Sequence, residues 1–386
     1  MCELFITDWK DHRLKRSMKK TTLFLLLAVV FMLSALSVEL YAAKAKFFEH
    51  RYEYKLEDVL KADKFVKKYH YWEGYAAGKL IGYVFLSKDW TEKHIGYSGK
   101  HMETLIGMDT DGNITGVKLL FHSEPIVLIG LKEDNYQDFL KQYTGKNAIT
   151  GLTFGNEIKM DAITGATVTA AVQNTIIAES AKKVAGVVGM TKRTQASGRR
   201  LSVKFEPLTW KDLVEAGAVK NILIMSDELG IEGKDAYLDL DIALVPPPSV
   251  GKNALGERFY NEIIESLKPG ESAVFIVTRG AGSFKGSGFA RGGVFERFSI
   301  EQGTHIYNFT DKDYRILTEL APKDAPAIKE GGVFIIRGKD FDPSAPFKFK
   351  LMLPYRVDTK KKFKAAEIEY KLPERFFRVD GEKSYN

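Results

Sequence analysis

Apolar positions alternate with short turn signals over much of the chain. Residues 78–87 (GKLIGYVFLS) are rich in β-branched and aromatic side chains and predict a strand. Two further apolar runs, residues 105–108 and 114–120, flank a D-G-N turn, and this arrangement predicts a β-hairpin. The turn resembles a calcium loop superficially. Leu120 stands where such a loop needs a glutamate, so we expect no metal there.

Residues 165–188 change to a helical pattern. Apolar and small side chains recur there at steps of three and four residues, namely Val168, Ala171, Val172, Ile176, Ser180, Val184 and Val187. This spacing predicts a helix that turns one face toward a core. The following residues 191–200 are polar, basic and small, which is typical of a linker.

Beyond the linker, helical and extended patterns are mixed without βαβ repetition. Helices are predicted at residues 213–220 and 257–267, and strands at 236–245, 272–278 and 332–337. The mixture predicts an α+β fold class. We expect a first domain at 46–192, a linker at 193–204, a second mixed α+β domain at 205–376 and a tail at 377–386.

The N-terminal 45 residues have the order of an export signal. A lysine pair precedes an apolar run at residues 23–36, and small alanines follow it. The run is shorter than the roughly 20 apolar residues that a membrane-spanning helix needs. We expect residues 1–45 to be an N-terminal extension plus a signal peptide or uncleaved anchor, with Met18 as the true start. The remainder is then exported to the periplasm or another extracytoplasmic space, soluble or held by this anchor.

Composition narrows the chemistry that the chain can perform. Its 386 residues are 45% hydrophobic and 28% charged, as in ordinary folded proteins. The formal net charge of +7 is too dilute over this length to indicate nucleic-acid binding. The lone cysteine, Cys2, excludes an intramolecular disulfide framework, a cysteine-ligated iron–sulfur cluster and a CxxCH haem site. A redox cofactor must therefore be bound without thiolates.

The stretch DAITGATVT, residues 161–169, is the most informative for chemistry. It reads as a small-residue turn that opens a helix, with threonine hydroxyls available to cap the first N–H groups. Gly165 and Ala166 leave room for a group to lie against the backbone. A helix start of this kind suits an anion, and phosphate in particular. An ordinary threonine-capped helix fits the same residues, and both interpretations stay open on these grounds.

The same stretch resembles the flavinylation motif, Asp-x-x-Ser/Thr-Gly-Ala-Thr, of the FMN-binding domains found in NqrC, RnfG and NosR proteins. The resemblance implies FMN joined to Thr167 through a phosphoester, installed by a separate flavin transferase. The residues that it implies around the attachment point are Asp161, Thr164, Gly165, Ala166, Val168 and Thr169. The first domain is then an FMN-binding domain.

Two other segments are similar to the same family. Gly96-Tyr97-Ser98-Gly99-Lys100 resembles a GYSG segment near the flavin, which implies cofactor contacts from Tyr97, Ser98 and Gly99. A simple turn is the alternative. His122-Ser123-Glu124-Pro125 resembles the His-x-Glu-Pro segment of NosR-like domains, which implies contacts from His122 and Glu124. An exposed His–Glu pair at the surface is the alternative.

The resemblance continues through the second half of the chain. Residues 239–245, 282–293 and 371–375 are similar to the exported region of NosR-like proteins. The glycine-rich segment 280–293 matches neither a P-loop nor a GxGxxG dinucleotide motif. Two hypotheses remain for it: a mobile loop, or a loop that packs over the flavin or docks a partner through Phe284, Lys285, Phe289 and Arg291.

The family resemblance implies an exported flavoprotein that relays electrons to or from a respiratory system, with a nitrous oxide reductase-related one among the candidates. A non-redox binding or maturation module for a respiratory enzyme is the alternative. We expect an electron-transfer flavoprotein rather than an independent catalyst, because the sequence has no Ser/His/Asp arrangement, no HExxH and no clustered metal ligands. The expected partners are the flavin transferase and a redox protein, soluble or membrane-bound. No nucleic acid is expected, and membrane contact only through the N-terminal segment.

Overall fold

A computed structural model describes residues 50–91, 94, 96, 100–124, 133–149, 166–191, 198–358 and 360–378. The predicted signal segment, the core of the predicted linker and the end of the tail lie outside these residues. Packing divides the chain after His50, and the description that follows concerns the unit Arg51–Asn386. None of the helices in the described part is both long and apolar enough to cross a membrane.

The first part of this unit is built on one sheet. Its strands are β1 (His50–Arg51), β2 (Lys64–Lys67), β3 (Tyr71–Ala76), β4 (Lys79–Leu86), β5 (Glu103–Asp109) and β6 (Ile114–His122), in the spatial order β1-β6-β5-β4-β3-β2. Consecutive strands from β2 to β6 pair antiparallel. The strand predicted at 78–87 is confirmed as β4. Its buried positions face a core that the helices described below complete.

The hairpin predicted around the D-G-N turn is confirmed. β5 and β6 pair antiparallel, with Ile106 opposite Val117. Asp109 Oδ1 accepts hydrogen bonds from the backbone N–H groups of Asp111 and Asn113, at 2.9 and 2.8 Å. Gly112 adopts φ +86°, a conformation that glycine tolerates best. The aspartate therefore serves the turn itself, by accepting N–H bonds that the strands cannot satisfy.

Two helices cover this sheet, α1 (Glu133–Lys141) and α2 (Ala166–Val187). The helix predicted at 165–188 is confirmed as α2. Val172, Ile176 and Val184 are buried as the spacing predicts. Val187 is 57% exposed, so its predicted place in the core was wrong. It lies in the last turn of the helix, beyond the surfaces that cover α2.

The second part contains two antiparallel sheets and four described helices. The helices are α3 (Trp210–Glu215), α4 (Pro248–Leu255), α5 (Glu257–Ser266) and α6 (Ser287–Gly292). The strands are β7 (Lys220–Met225), β8 (Ala236–Leu244), β9 (Ser272–Arg279), β10 (Val294–Gln302), β11 (His305–Thr310), β12 (Tyr314–Ile316), β13 (Glu330–Ile336), β14 (Phe347–Val357) and β15 (Lys360–Tyr370). The sheet orders are β12-β13-β9-β8-β7 and β11-β10-β14-β15. Short 3-10 helices lie at Leu56–Asp58, Ser87–Asp89, Asp227–Leu229, Asp311–Asp313 and Glu374–Phe376.

The α+β class is confirmed, and most elements predicted in the second part are present. The helix predicted at 213–220 is wrong in its bounds, because α3 begins earlier and ends at Glu215. Thr209 caps α3 together with Asp212 in a reciprocal capping box, which sets its start. Gly217 then adopts φ +75°, and the chain enters β7 at Lys220.

The glycine-rich segment 280–293 is anchored at its centre. Phe284 is fully buried and packs against the rings of Phe295, Phe298 and Phe334, with centroids 5.7–6.3 Å away. Gly286 lies so close to the Glu296 carboxyl group that an added Cβ would overlap it. The segment thus packs on the second part's own aromatic core, and none of its described contacts reach the start of α2.

Helix α2 also packs on the second part of the chain. Ile306 of β11 belongs to the same hydrophobic cluster as Ile177 and Ala181 of α2. Asn308 Nδ2 donates to Thr175 Oγ1 at 3.0 Å. Lys182 Nζ donates to Glu301 Oε2 of β10 at 2.6 Å. The helix therefore lies between the first sheet and the β10–β11 hairpin, while the domain boundary predicted at 193–204 stays a prediction.

Candidate functional site

The described part of the predicted site begins with the first turn of α2. The backbone of Ala166, Thr167 and Val168 is helical, and their side chains lie outside the description. Asp161, Thr164 and Gly165 lie outside the described residues altogether. The first N–H groups of an α-helix have no partner within the helix, and the helix dipole favours negative charge beside them. A helix of 22 residues starting at Ala166 thus offers an anion site where the motif places one.

A buried carboxylate lies against this first turn. Glu124 follows the end of β6 and is fully buried. Thr169, also fully buried, donates its hydroxyl to Glu124 Oε2 at 2.6 Å. The bond joins the His-x-Glu-Pro segment to the flavinylation motif, two regions of the chain that are 45 residues apart.

The GYSG segment meets the same carboxylate. A Cβ atom built on Gly96 would lie 2.2 Å from Glu124 Oε1, far inside van der Waals contact. Only a residue without a side chain can occupy this position while Glu124 keeps its place. The Gly96 N–H donates to the Lys100 carbonyl at 2.8 Å, which closes the segment into a turn. Tyr97, Ser98 and Gly99 lie between these two residues and outside the described part.

His122 lies behind Glu124 rather than at the surface. Its Nδ1 accepts the Glu124 backbone N–H at 3.3 Å, and the imidazole is fully buried. The rings of Tyr52 and Tyr136 flank it, with centroids 6.3 and 5.9 Å away. Since His122 and Glu124 are both buried, the alternative of an exposed surface pair is wrong.

A series of buried side-chain hydrogen bonds begins at Tyr136, next to His122. Tyr136 of α1 donates its hydroxyl to Gln173 Oε1 at 2.9 Å, and Gln173 Nε2 donates to Thr104 Oγ1 of β5 at 2.8 Å. Burial raises the pKa of the Tyr136 phenol well above its ordinary value, and the nearby Glu124 carboxyl adds to this. The phenol is therefore a neutral hydrogen-bond donor that ties α1, α2 and β5 together beneath the site.

One pair beside the site carries no signal in the sequence. His94 Nε2 lies 2.5 Å from Glu179 Oε2 of α2, and Lys183 Nζ lies 2.5 Å from Glu179 Oε1. Burial would raise the pKa of the Glu179 carboxyl, but the hydrogen bonds and charges of His94 and Lys183 together hold it below its ordinary value.

The described residues contain no group of three or more His, Cys, Asp and Glu side chains placed to hold a metal ion.

Comparison with known proteins identifies the region. Residues 96–182 match the family model described as the FMN-binding domain. The match begins at Gly96 and covers His122, Glu124 and the start of α2, so it includes all three segments that meet at the buried carboxylate.

The chain also has curated relatives that match most of its length. It is 33% identical over 326 residues to the Regulatory protein NosR of Stutzerimonas stutzeri. The chain is a NosR-like protein with an FMN-binding domain. It is 32% identical over 301 residues to the Regulatory protein NosR of Pseudomonas aeruginosa, and 32% identical over 266 residues to the Protein NirI of Paracoccus denitrificans.

The NosR-like resemblance covers most of this chain but only part of each relative. The three alignments span 77%, 71% and 65% of this chain and 45%, 42% and 38% of the respective relatives. The chain therefore spans less than half the length of the curated relatives that it matches.

The residues of this NosR-like chain fit FMN at the start of α2. The free backbone N–H groups of Ala166, Thr167 and Val168 suit the phosphate. Gly96 and the fully buried Glu124 and Thr169 form a packed, hydrogen-bonded wall next to them. Such a wall supplies fixed polar groups in a low-dielectric setting, which is what a protein contributes to a flavin site.

Proposed function

We propose that this chain is a flavoprotein electron carrier whose FMN is linked to Thr167 by a phosphoester. The observation that carries the proposal is that the FMN-binding match coincides with the meeting of Gly96, Glu124 and Thr169 at the start of α2. Bound FMN supplies the capacity to accept and release electrons. The protein's residues hold the phosphate, orient the ring and set its surroundings.

The choice of Thr167 over Thr169 has a physical basis. Thr169 is fully buried and its hydroxyl donates to Glu124, so forming a phosphoester there would break this bond. Positions 167 and 169 are about 200° apart around the helix axis, since each residue advances an α-helix by about 100°. Position 167 is therefore on a different face of α2 from the one that packs on Glu124.

We also propose a location, an attaching enzyme and a redox partner for this chain. We place the chain outside the cytoplasm, where a covalent bond keeps the cofactor from being lost. A flavin transferase joins the FMN moiety of FAD to the Thr167 hydroxyl, which breaks the pyrophosphate bond of FAD and releases AMP. A separate redox protein, soluble or membrane-bound, exchanges electrons with the attached FMN. We further propose that the chain serves a respiratory system, a nitrous oxide reductase-related one being the candidate that the family resemblance implies.

Mass spectrometry of the full chain, co-expressed with a flavin transferase and its FAD donor, tests this function. We expect one FMN-sized adduct on the wild type and on Thr169→Ser, which keeps the hydroxyl that Glu124 needs. Thr167→Ala should carry none. An unmodified wild-type chain, or an adduct that persists in Thr167→Ala, refutes covalent attachment at Thr167.

A second candidate is the non-redox binding or maturation module. It is favoured by the names of the two NosR relatives, which call them regulatory proteins. The two functions differ in a visible property: the carrier shows a flavin absorption spectrum that bleaches reversibly on reduction. Co-expressed protein without this spectrum would favour the regulatory module.

A further inference from the structure

Three residues near the start of the GYSG segment form hydrogen-bond contacts with side chains of α2. Lys183 Nζ donates to the Trp90 carbonyl at 2.8 Å. The hydroxyls of Thr91 and Ser180 are 3.4 Å apart, and His94 Nε2 lies 2.5 Å from Glu179 Oε2. From residue 90 to residue 94 the chain thus follows α2 backward, toward the helix start.

The described residues of the next segment are His94, Gly96, Lys100 and His101, here called the 94–101 turn, and Gly96 among them contacts Glu124. His101 Nδ1 lies 3.0 Å from the His94 carbonyl oxygen, and the Gly96 N–H donates to the Lys100 carbonyl. These two bonds join the ends of the segment 94–101. His94 is therefore the last described side chain that fixes this turn to the helix before Gly96 meets the buried carboxylate.

The bond between His94 and Glu179 is well protected. The His94 side chain is 13% exposed and that of Glu179 is 7% exposed. Both carboxylate oxygens of Glu179 are engaged, one by His94 and the other by Lys183. Hydrogen bonds to charged groups shielded from water are stronger than neutral ones, so this contact is stronger than the neutral one between Thr91 and Ser180.

We infer that His94 and Glu179 are positioning residues for the FMN site: their hydrogen bond holds the 94–101 turn against α2, so that Gly96 and Glu124 are in place before the cofactor binds. The inference rests on the proposed function, because it takes the start of α2 as the FMN site. His94 lies two residues outside the matched FMN-binding region. Binding groups work best when neighbouring residues lock them within about 0.5 Å of the productive position.

The test compares two replacements of His94 in the full chain. Glutamine can still donate to Glu179, whereas leucine cannot. Hydrogen exchange is measured on residues 94–101 of the FMN-free protein, and flavin circular dichroism on the loaded protein. We expect His94→Leu to speed exchange at Gly96 by at least about tenfold, the factor that corresponds to about 1.4 kcal/mol, and to change the flavin dichroism. His94→Gln should stay close to the wild type in both.

His305→Leu is the matched control, since His305 of β11 also faces a carboxylate, that of Asp340 at 3.6 Å. It should leave both signals unchanged. Wild-type exchange and dichroism in His94→Leu would overturn the inference, as would equal changes in the leucine and glutamine variants. If the wild type takes up no FMN, the proposed function fails, while exchange in the FMN-free protein still decides whether His94 holds the turn. Glu179→Gln gives a second check should His94→Leu not fold.

Discussion

Replacing Gly96 with alanine perturbs the centre of the candidate site with a single methyl group. The φ angle of Gly96 lies outside the left-handed region, so alanine can adopt the backbone conformation. The new Cβ would lie 2.2 Å from Glu124 Oε1 and 2.7 Å from Cδ. Real Cβ atoms essentially never approach other atoms within 3.0 Å, so the Glu124 carboxylate has to move.

The loss of stability follows from the hydrogen bond that this movement of Glu124 breaks. Glu124 is fully buried and accepts the Thr169 hydroxyl at 2.6 Å. A hydrogen bond to a charged group contributes about 1.5–3 kcal/mol to stability. We therefore expect Gly96→Ala to lower the free energy of unfolding by about 2 kcal/mol, a factor of about 30 in the folding equilibrium. FMN incorporation should fall with it, because the displaced carboxylate lies beside the first turn of α2.

Urea unfolding followed by tryptophan fluorescence measures the stability change, and a double-mutant cycle assigns its cause. In a Glu124→Ala background the carboxylate is absent, so the further change Gly96→Ala should cost less than about 0.5 kcal/mol. A Gly96→Ala protein as stable as the wild type would refute the described contact. An equal cost in both backgrounds would show that the strain arises elsewhere.

Two further predictions concern the second part of the chain. Glu301→Ala leaves the buried ammonium group of Lys182 and the half-buried one of Lys350 without their carboxylate, so urea unfolding should show a loss of about 3–5 kcal/mol. Burial would raise the pKa of the Glu301 carboxyl, but the two lysines hold it below its ordinary value. Its stabilisation is therefore present above the ordinary carboxyl pKa and lost as pH falls through the depressed value. Unfolding measured from pH 6 down to pH 3 (about 4.3 being the ordinary glutamate pKa) should show a shallower decline for Glu301→Gln. Phe284→Ala should cost about 3–5 kcal/mol by the same assay if the glycine-rich segment is anchored as described, and a near-neutral result would favour a mobile loop.

Sequence patterns predicted the elements whose defining residues are contiguous in the chain. The β5–β6 hairpin was predictable because its turn residues and flanking apolar runs are contiguous in the sequence. Helix α2 was predictable from its spacing, but not the exposure of Val187, since that depends on where the covering surfaces end. The error at 213–220 has a different origin, because the bounds of α3 are determined by local signals, namely the capping pair Thr209 and Asp212 and the positive φ of Gly217.

The candidate site also has a part that the sequence could predict and a part that it could not. Motif resemblance could indicate the segments around Gly96, Glu124 and Thr169, because each is a short contiguous string. It could not predict that Thr169 bonds to Glu124, 45 residues away. The bond between His94 and Glu179 joins residues 85 apart, and neither residue belongs to a recognised motif. Contacts of this kind depend on how the sheet and α2 pack, which no local pattern specifies.

Helix α2 links the candidate site to the second part of the chain. Its first turn belongs to the stretch that resembles the flavinylation motif, while Thr175 and Lys182 bond to Asn308 and Glu301 of the β10–β11 hairpin. The FMN-binding match ends at residue 182, the lysine that pairs with Glu301. Helix α2 is thus held from two sides, by the first sheet and by the β10–β11 hairpin, and the hairpin lies wholly outside the matched region. The second part of the chain therefore supports the helix at whose start the candidate site lies.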